Sequence, residues 1–375
     1  MTAASPSRPS LASAGWVLAG SGVLVAAVLG FALFGIFKGE RRVGDGRDIT
    51  TYGFDLSNLA TPPGALVATG NPRDFLTPLD APVIAEGSSI APRNERERNK
   101  YSVREDRVIG LIVNGEARAY PLPLMNVHEI VHDELGGVPI AVTYSPLCDS
   151  AVVFDRRLGG ATLSFGVSGL LLNNNLVFYD RATGPAPHTP SLWSQLAMGP
   201  IAGPALARGD RLTPLPGVLI STWSSWLFEH PDTTIAMPAE TDWRKMKETD
   251  YRRYWHAGEP TYPVVALAEP PAMERSVPFT LITPTSAELI ETAMSDMTMV
   301  IAVKADDGWR VIPLRFMETL RINADGHADT APLGVKRMWV VVPVYGAFLV
   351  DDELPPLTVP CRWFAWNAFH PMPRP

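Results

Sequence analysis

Short apolar runs, separated by turn residues, recur through most of the chain and predict β-strands. RVIGLIV (107–113) and EARAYPL (116–122) flank Asn114-Gly115, a dipeptide that accepts the positive φ angles of a two-residue turn, and so predict a hairpin. A second hairpin is predicted where MTMVIAV (297–303) and WRVIPL (309–314) flank Asp306-Asp307-Gly308. Between the two hairpins, VPIAVTY, SAVVFD, ATLSFGVS and LVFYD predict further strands.

Three segments carry helix signals. LMNVHEIVHDEL (124–135) predicts a short helix that Gly136-Gly137 would end, with His128 and His132 four residues apart on one face. SLWSQL (191–196) and STWSSWLFEH (221–230) follow Pro or Ser/Thr start signals and predict two more. Residues 88–104 and 238–262 are polar enough to predict surface loops, and no internal repeat is recognised. The pattern predicts a single mainly β domain (β-rich α+β) with a few short helices.

An uncharged run of 23 residues, Gly15–Phe37, precedes this domain. A helix of that length is about 34 Å long, enough to cross a hydrocarbon core of about 30 Å. A cleaved signal peptide is the alternative, but its apolar region is shorter, so a single-pass anchor is favoured. The expected organisation is a tail over 1–14, the anchor over 15–37, a juxtamembrane linker over 38–52 and the β-rich domain over 53–375.

Composition narrows the function classes. The net charge is −7 with scattered Lys and Arg, which excludes the basic surface of a nucleic-acid-binding protein. Thirty-six prolines and thirty glycines are typical of short strands joined by tight turns. The two cysteines, Cys148 and Cys361, form either one bridge or two separate thiols, and separate thiols are favoured.

Several long phrases resemble a bacterial family of unknown function, the domain family numbered 3179. They include GEARAYPL, HEIVHDELGG, TYSPLCDSAVVFDR, LSFGVSGLL, LVFYDRATG, SLWSQ, WLFEHPDTTIA and WFAWNAFHP, and the similarity extends over about residues 52–375. The resemblance implies an exported or membrane-anchored bacterial protein without an agreed substrate. It favours an extracytoplasmic domain, whereas the basic residues that follow the apolar run favour a cytoplasmic one.

The chain departs from the family pattern at three places. Ser145 stands where the family typically has the first cysteine of Cys-Pro-Leu-Cys, so no disulfide can form within that motif. His132 stands where the family commonly has Asn, and PAPHTP (185–190) resembles an insert.

His128 and Cys148 are the candidate site. Imidazole and thiolate are ordinary ligands of copper or zinc and also form the ordinary base–nucleophile pair, so either a metal site or catalysis is open. The alternative is a hydrogen-bonded histidine and a cysteine buried as a small apolar group. The HEIVH segment formally matches a zinc-protease motif, but no third ligand is evident, and His132 is expected at the surface or in a cap.

A polar pocket is also predicted where the LVFYD strand ends and the SLWSQ segment begins after the PAPHTP insert. Its candidate residues are Asp180, Arg181, Ser191, Trp193 and Gln195. The alternative for Asp180 and Arg181 is an ion pair that closes a strand end. Asn173, Asn174 and Asn175 are expected to form a turn, since Asn tolerates left-handed backbone.

Three functions follow as hypotheses. The first is a His128–Cys148 metal or thiol redox site in an extracytoplasmic domain, with copper or zinc as the cofactor. The second is a non-catalytic envelope module, anchored through Gly15–Phe37, that binds a small molecule or a protein. The third is a Cys–His hydrolase or transferase, which needs a lowered pKa at Cys148.

Overall fold

A computed structural model describes residues 43–97, 100–182, 188–238, 246, 251–267, 279–281, 295–305, 308–314 and 357–371. The chain divides into Met1–Val43 and Gly44–Pro375, and the elements below all belong to the second unit. The predicted anchor, Gly15–Phe37, lies outside the described residues. Among the residues that are described, no helix has the length and apolar character needed to cross a membrane.

Strands dominate the described part of the chain. They are β1 Leu66–Ala68, β2 Leu79–Asp80, β3 Val83–Glu86, β4 Arg107–Val113, β5 Glu116–Pro121, β6 Ile130–Leu135, β7 Val138–Ser145, β8 Ser150–Asp155, β9 Arg157–Leu158, β10 Ala161–Thr162, β11 Phe165–Leu172, β12 Asn175–Asp180, β13 Leu192–Ser194, β14 Gly199–Ala202, β15 Thr213–Pro214, β16 Leu219–Thr222, β17 Thr234–Met237, β18 Phe279–Leu281, β19 Met299–Ala305, β20 Gly308–Pro313 and β21 Thr358–Arg362.

The helices are short. They are α1 Ile90–Arg96, α2 Leu122–His128, α3 Pro204–Arg208, α4 Trp223–Glu229, α5 Arg252–Trp255 and α6 Trp363–Phe369, with 3-10 turns at Ile49–Tyr52 and Gly87–Ser89. This is the mainly β single domain with a few short helices that the sequence predicts.

In the described part of the chain, four sheets of four or five strands carry the fold, and β9 and β10 form a separate two-stranded sheet. Sheet 1 has the order β16-β4-β5-β17-β3, sheet 2 β15-β8-β7-β6-β2, sheet 3 β1-β11-β12-β13-β14 and sheet 4 β18-β20-β19-β21. Sheet 2 is buried on both faces. Ile140, Val142 and Val153 pack into one core with sheet 1, whereas the alternate residues Ala141 and Phe154 pack into a core shared with sheets 3 and 4. A strand covered on both faces needs apolar residues at every position, which explains the unbroken runs VPIAVTY and SAVVFD.

Both predicted hairpins are confirmed, and so is the helix in STWSSWLFEH. Two other predicted helices are wrong. The one predicted over 124–135 ends at His128, and β6 follows directly, so His128 and His132 do not share a helical face. SLWSQL forms β13 instead of a helix, and α1 occupies part of the predicted loop at 88–104.

The backbone contains a repeat that the sequence does not reveal. In the first hairpin Val108 pairs with Pro121, and in the second Val300 pairs with Pro313, so every position in β19 and β20 lies 192 residues after its counterpart in β4 and β5. A third strand flanks each hairpin in the same register. β16 pairs Thr222 with Arg107, and β21 pairs Arg362 with Met299. The first repeat is therefore β4, β5, β16 and β17, and the second is β19, β20, β21 and β18.

The helices α4 and α6 extend this equivalence. Each follows the flanking strand directly, has seven residues and ends at a histidine that precedes a proline. The ring of His230 lies 4.2 Å from that of Trp226, and the ring of His370 lies 4.1 Å from that of Trp366. Each histidine thus packs on a tryptophan one helical turn earlier.

Replacing Gly110 by Ala is expected to destabilise the first repeat. An added Cβ would lie 2.3–2.6 Å from ring atoms of Trp226, so strand and helix must move apart at a cost of about 1–3 kcal/mol. The free energy of unfolding measures the effect. Ile112→Thr, at an exposed position of the same strand, is the control, and an equal loss in both variants would contradict this packing argument.

The buried His370 is expected to make the fold sensitive to acid. Burial lowers the pKa of His370 to about 3, so below pH 6.5 the unfolded chain takes up a proton that the native state does not. Stability should therefore fall as the pH falls from 6.5 towards 3, by at most about 1.4 kcal/mol per pH unit for this one group. Between pH 7 and 5, the free energy of unfolding measured with denaturant should fall less steeply in His370→Phe than in the wild-type protein. An identical slope in both proteins would exclude His370 as a source.

Candidate functional site

The turn that joins β7 to β8 carries the residues on which the site prediction depends. It runs from Ser145 to Asp149, and Asp149 adopts a left-handed conformation with φ of 47°. Cys148 belongs to this Ser145–Asp149 turn. Its thiol is fully buried and lies 3.9 Å from the carbonyl oxygen of Asn173. Burial raises the pKa of Cys148 to about 12, although hydrogen bonds with Asn175 and Ser145 oppose the shift. The thiol is therefore protonated at neutral pH.

His128 is the last residue of α2 and is also buried. Its Nδ1 lies 2.7 Å from the carbonyl oxygen of Thr77. The hydrogen bonds of the Cys148 thiol are with Ser145, Asn173 and Asn175, and His128 is not among these partners. Within the residues that the structure describes, no group of three His, Cys, Asp or Glu side chains is placed to hold a metal ion. Copper or zinc ligation by His128 and Cys148 stays a prediction.

His132 is not at the surface, as the sequence suggests, but is buried in β6. Its Nε2 accepts a hydrogen bond from the backbone N–H of Phe165 at 3.0 Å, so in the neutral ring Nδ1 carries the proton and donates to Asp80 at 2.5 Å. This bond lowers the pKa of Asp80 to about 2, while burial lowers the pKa of His132. The side chain links β6 to β2 and β11, which is a structural role.

Four of the five predicted pocket residues make contacts that tie strands together. Asp180 Oδ1 accepts hydrogen bonds from the backbone N–H of Ser191 at 2.7 Å and from Nε1 of Trp193 at 3.0 Å. Arg181 donates to Asp80 at 2.9 and 3.0 Å. Arg181 therefore forms an ion pair at the strand end, but with Asp80 and not with Asp180 as the sequence suggests.

Gln195, the fifth, belongs to a closed polar network beneath the Ser145–Asp149 turn. Its Oε1 accepts from Ser150 at 2.6 Å and from Asn175 at 2.8 Å, and its Nε2 donates to Thr143 at 3.0 Å. The network leaves no donor of Gln195 free for a ligand. None of the five predicted residues lines the cavity described below.

A cavity of about 210 Å³ lies against the Ser145–Asp149 turn on the side of Glu129. Its lining residues are Thr69, Asn71, Phe75, Glu129, Ser145, Pro146, Leu147, Val167, Gly169, Leu170, Leu171, Tyr251, Thr261 and Tyr262. Among the described residues of this lining, Glu129 is the only Asp, Glu, Lys, Arg or His, and three of the others are aromatic. We refer to this space as the Glu129 cavity.

The backbone conformation of Glu129 is unusual for its residue type. Its φ is 56°, and its N–H donates to Met125 at 2.7 Å, so it ends α2 in the left-handed position that glycine or asparagine normally occupies. A left-handed glutamate costs roughly 1–2 kcal/mol. Its carbonyl oxygen accepts from the N–H of Tyr144 at 2.8 Å, which fixes Glu129 beside Ser145 at the end of β7. An outlier of this kind at a cavity wall suggests that the side chain serves a function.

The Glu129 carboxyl has no hydrogen bond or ion pair with any described residue. Burial alone raises its pKa to about 8, so the group is mostly protonated at pH 7. Glu129 is half-buried and lines the cavity. A cavity-lining residue whose carboxyl has a pKa near neutrality is equipped to exchange a proton or to pair with a cation.

Aromatic side chains line the same cavity, and two asparagines hold the segment that carries one of them, Tyr262. Tyr262 is docked by Asn174, whose amide donates to Tyr262 O at 2.9 Å and accepts from Tyr262 N at 2.8 Å. Asn173 makes the same reciprocal pair with Val265 at 2.8 Å in each direction. Both asparagines are left-handed, as the sequence predicts, and their amides also attach the segment at 261–267 to sheet 3.

Sequence reasoning missed Glu129 although it lies next to His128. The left-handed position is not marked by glycine or asparagine, and the HEIVH phrase directs attention to the two histidines. Segment 238–262 is predicted as a surface excursion, yet Tyr251 and Tyr262 line the cavity. The resemblance does include Glu129 and the Ser145–Asp149 turn in two of its phrases, and this is the signal that points to the same place.

Comparison with known proteins gives a family and no function. Neither the curated proteins nor the solved structures contain a match to this chain. The family described as "Protein of unknown function (DUF3179)" matches residues 82–373, which are most of the chain and include Glu129, the Ser145–Asp149 turn and both repeats. The chain therefore belongs to the DUF3179 family.

Proposed function

We propose that this protein is a binding module whose Glu129 cavity takes a small organic ammonium ion. The observation that carries the proposal is the Glu129 carboxyl, which faces the cavity without a partner among the described residues. A buried carboxylate is costly unless a positive charge neutralises it. An ammonium ligand supplies that charge and converts the protonated acid into an ion pair.

The cavity walls suit the same ligand. Phe75, Tyr251 and Tyr262 present aromatic rings, and a cation held against such rings gains roughly 0.5–2 kcal/mol when it is desolvated. Burial raises the pKa of Tyr251 to about 12, so its hydroxyl stays neutral. The apolar lining accommodates a short alkyl chain, and the volume of about 210 Å³ is sufficient for a few carbon atoms.

This proposal corresponds to the envelope module predicted from the sequence. It retains the single-pass anchor at Gly15–Phe37 and the extracytoplasmic position as part of the proposal. The resemblance to exported or membrane-anchored proteins supports both. A thiol redox site and a Cys–His hydrolase gain less support, because Cys148 is sealed from the cavity and its pKa is raised rather than lowered.

Binding of n-butylamine to the full-length chain in detergent, measured by calorimetry, tests the proposal. Glu129 must lose its proton to pair with the ammonium group, so affinity should rise by about tenfold per pH unit from pH 6 and level off near pH 8. n-Butanol has the same alkyl chain without the charge and should bind more weakly.

The matched variants are Glu129→Gln and the exposed Glu134→Gln. Glu129→Gln should abolish both the preference for the amine and the pH dependence, whereas Glu134→Gln should preserve them. Equal binding of amine and alcohol by the wild-type protein, or an unchanged profile in Glu129→Gln, would refute the ammonium site.

The thiol hypotheses are tested by the rate of Cys148 alkylation. A pKa raised from 9 to about 12 lowers the thiolate fraction at pH 7.5 about 1000-fold, and burial also blocks access. Iodoacetamide should therefore modify Cys148 in the native protein at least about 1000-fold more slowly than in the chain unfolded by guanidinium. Peptide mass spectrometry gives the rate at Cys148 separately from Cys361. Comparable rates in the two states would restore a reactive-thiol function.

A further inference from the structure

Several side chains that line the Glu129 cavity carry hydroxyl groups, and three of these groups are already engaged. The Thr69 hydroxyl donates to the carbonyl oxygen of Gly169 at 3.0 Å, and the Tyr262 hydroxyl donates to the carbonyl oxygen of Thr69 at 3.2 Å. The Ser145 hydroxyl accepts from a backbone N–H of β12 at 3.1 Å. These three groups tie segments of the chain together, so their contribution is to the shape of the cavity.

The Tyr251 hydroxyl differs from these three. Tyr251 is half-buried and lines the cavity, but its hydroxyl makes no hydrogen bond with any residue that the structure describes. Burial, and after it the charge of the Glu129 carboxylate, raise the pKa of Tyr251 to about 12. The second cause shows that the phenol lies near the Glu129 carboxyl, and the raised pKa keeps its hydroxyl neutral at pH 7.

Two neighbouring groups of the cavity thus have no partner among the described residues, and together they suit one kind of ammonium ion. An ionised Glu129 carboxylate only accepts hydrogen bonds, whereas the neutral phenol of Tyr251 both accepts and donates. A primary ammonium group has three N–H donors, so it can donate to both residues. A quaternary ammonium group has no N–H, and it gains only the attraction of the carboxylate and contact with the aromatic rings.

We propose that the Tyr251 hydroxyl is a second hydrogen-bond acceptor of the Glu129 cavity and that the cavity therefore selects primary over quaternary ammonium ions. This inference rests on the proposed function, because it specifies the class of ammonium ion. Glu129 supplies the opposite charge, and Tyr251 accepts from an N–H that loses water when the ligand enters. A buried donor without a partner is costly, so the second acceptor raises both affinity and selectivity.

Tyr262 provides a matched control for Tyr251. Both tyrosines line the same cavity, but the Tyr262 hydroxyl is bonded to Thr69. Replacement of either tyrosine by phenylalanine keeps the aromatic ring and removes only the hydroxyl. A difference between the two variants therefore reports the free hydroxyl of Tyr251 and not the contact of a cation with an aromatic ring.

Calorimetry on the full-length chain in detergent, at pH 8, tests the inference with two isomeric cations. The n-butylammonium and tetramethylammonium ions have the same composition and charge, but only n-butylammonium has N–H donors. The wild-type protein should bind n-butylamine about tenfold or more tightly than tetramethylammonium. Tyr251→Phe should weaken n-butylamine about tenfold and change tetramethylammonium by less than about twofold. Tyr262→Phe should keep the preference for n-butylamine.

The outcomes separate this inference from the proposed function. Selection by Tyr251 is overturned, while the ammonium site stands, if n-butylamine binding depends on Glu129 but the wild-type protein binds both cations equally well. The same conclusion follows if Tyr251→Phe weakens both cations equally, or if it lowers the preference no more than Tyr262→Phe does. If neither cation binds, or if Glu129→Gln binds both as the wild-type protein does, the ammonium site fails and the selection fails with it.

Discussion

The buried carboxylate of Asp149 is the charge that joins three of the four sheets. Arg107 reaches it from β4 in sheet 1, Arg362 from β21 in sheet 4, and the Tyr144 hydroxyl from β7 in sheet 2 at 2.7 Å. The two arginines hold the pKa of Asp149 below its usual value although burial alone would raise it. Losing one partner of such a buried group typically costs about 3–5 kcal/mol. The relative placement of these sheets, and of the Ser145–Asp149 turn, therefore depends on one ionic cluster.

This cluster also explains why the duplicated architecture is not chemically symmetric. The two repeats share strand register, helix length and the tryptophan–histidine contact, all of which depend on backbone and packing. They differ at the level where the arginines lie, because Met299 replaces the equivalent of Arg107 and Thr222 the equivalent of Arg362. Two arginines therefore converge on the Asp149 carboxylate, whereas fully symmetric repeats would have placed four at this level.

The sequence predicted those parts of the fold that are determined locally. Asn114-Gly115 identifies its hairpin because few other residues accept both positive φ angles, and the continuous apolar runs identify the strands of the doubly covered sheet. It failed at Glu129–Leu135, where the four-residue spacing of the histidines matches a helix and the segment IVHDEL shows no apolar/polar alternation that would mark the strand. The left-handed Glu129 decides between them, and nothing local marks it. The sequence does not reveal the repeat, because the two copies share the register of strand pairing and not a recognisable series of residues.

Candidate chemistry was harder to predict than the fold because burial, more than residue type, determines what a side chain does. Cys148 and His128 have the residue types of a metal or nucleophilic site, yet the thiol is sealed and protonated. The contacts of Ser145 likewise determine its role. The resemblance implies a cysteine at this position, but the Ser145 hydroxyl accepts from the backbone N–H of Leu176 at 3.1 Å and so ties β7 to β12.

A chain with Ser145 at the position of the motif's first cysteine nevertheless retains the Asp149 cluster and the Glu129 cavity. Among the described residues that line the Glu129 cavity there is one acidic side chain and no cysteine. The ammonium binding that we propose therefore depends on the Glu129 carboxyl and not on a thiol.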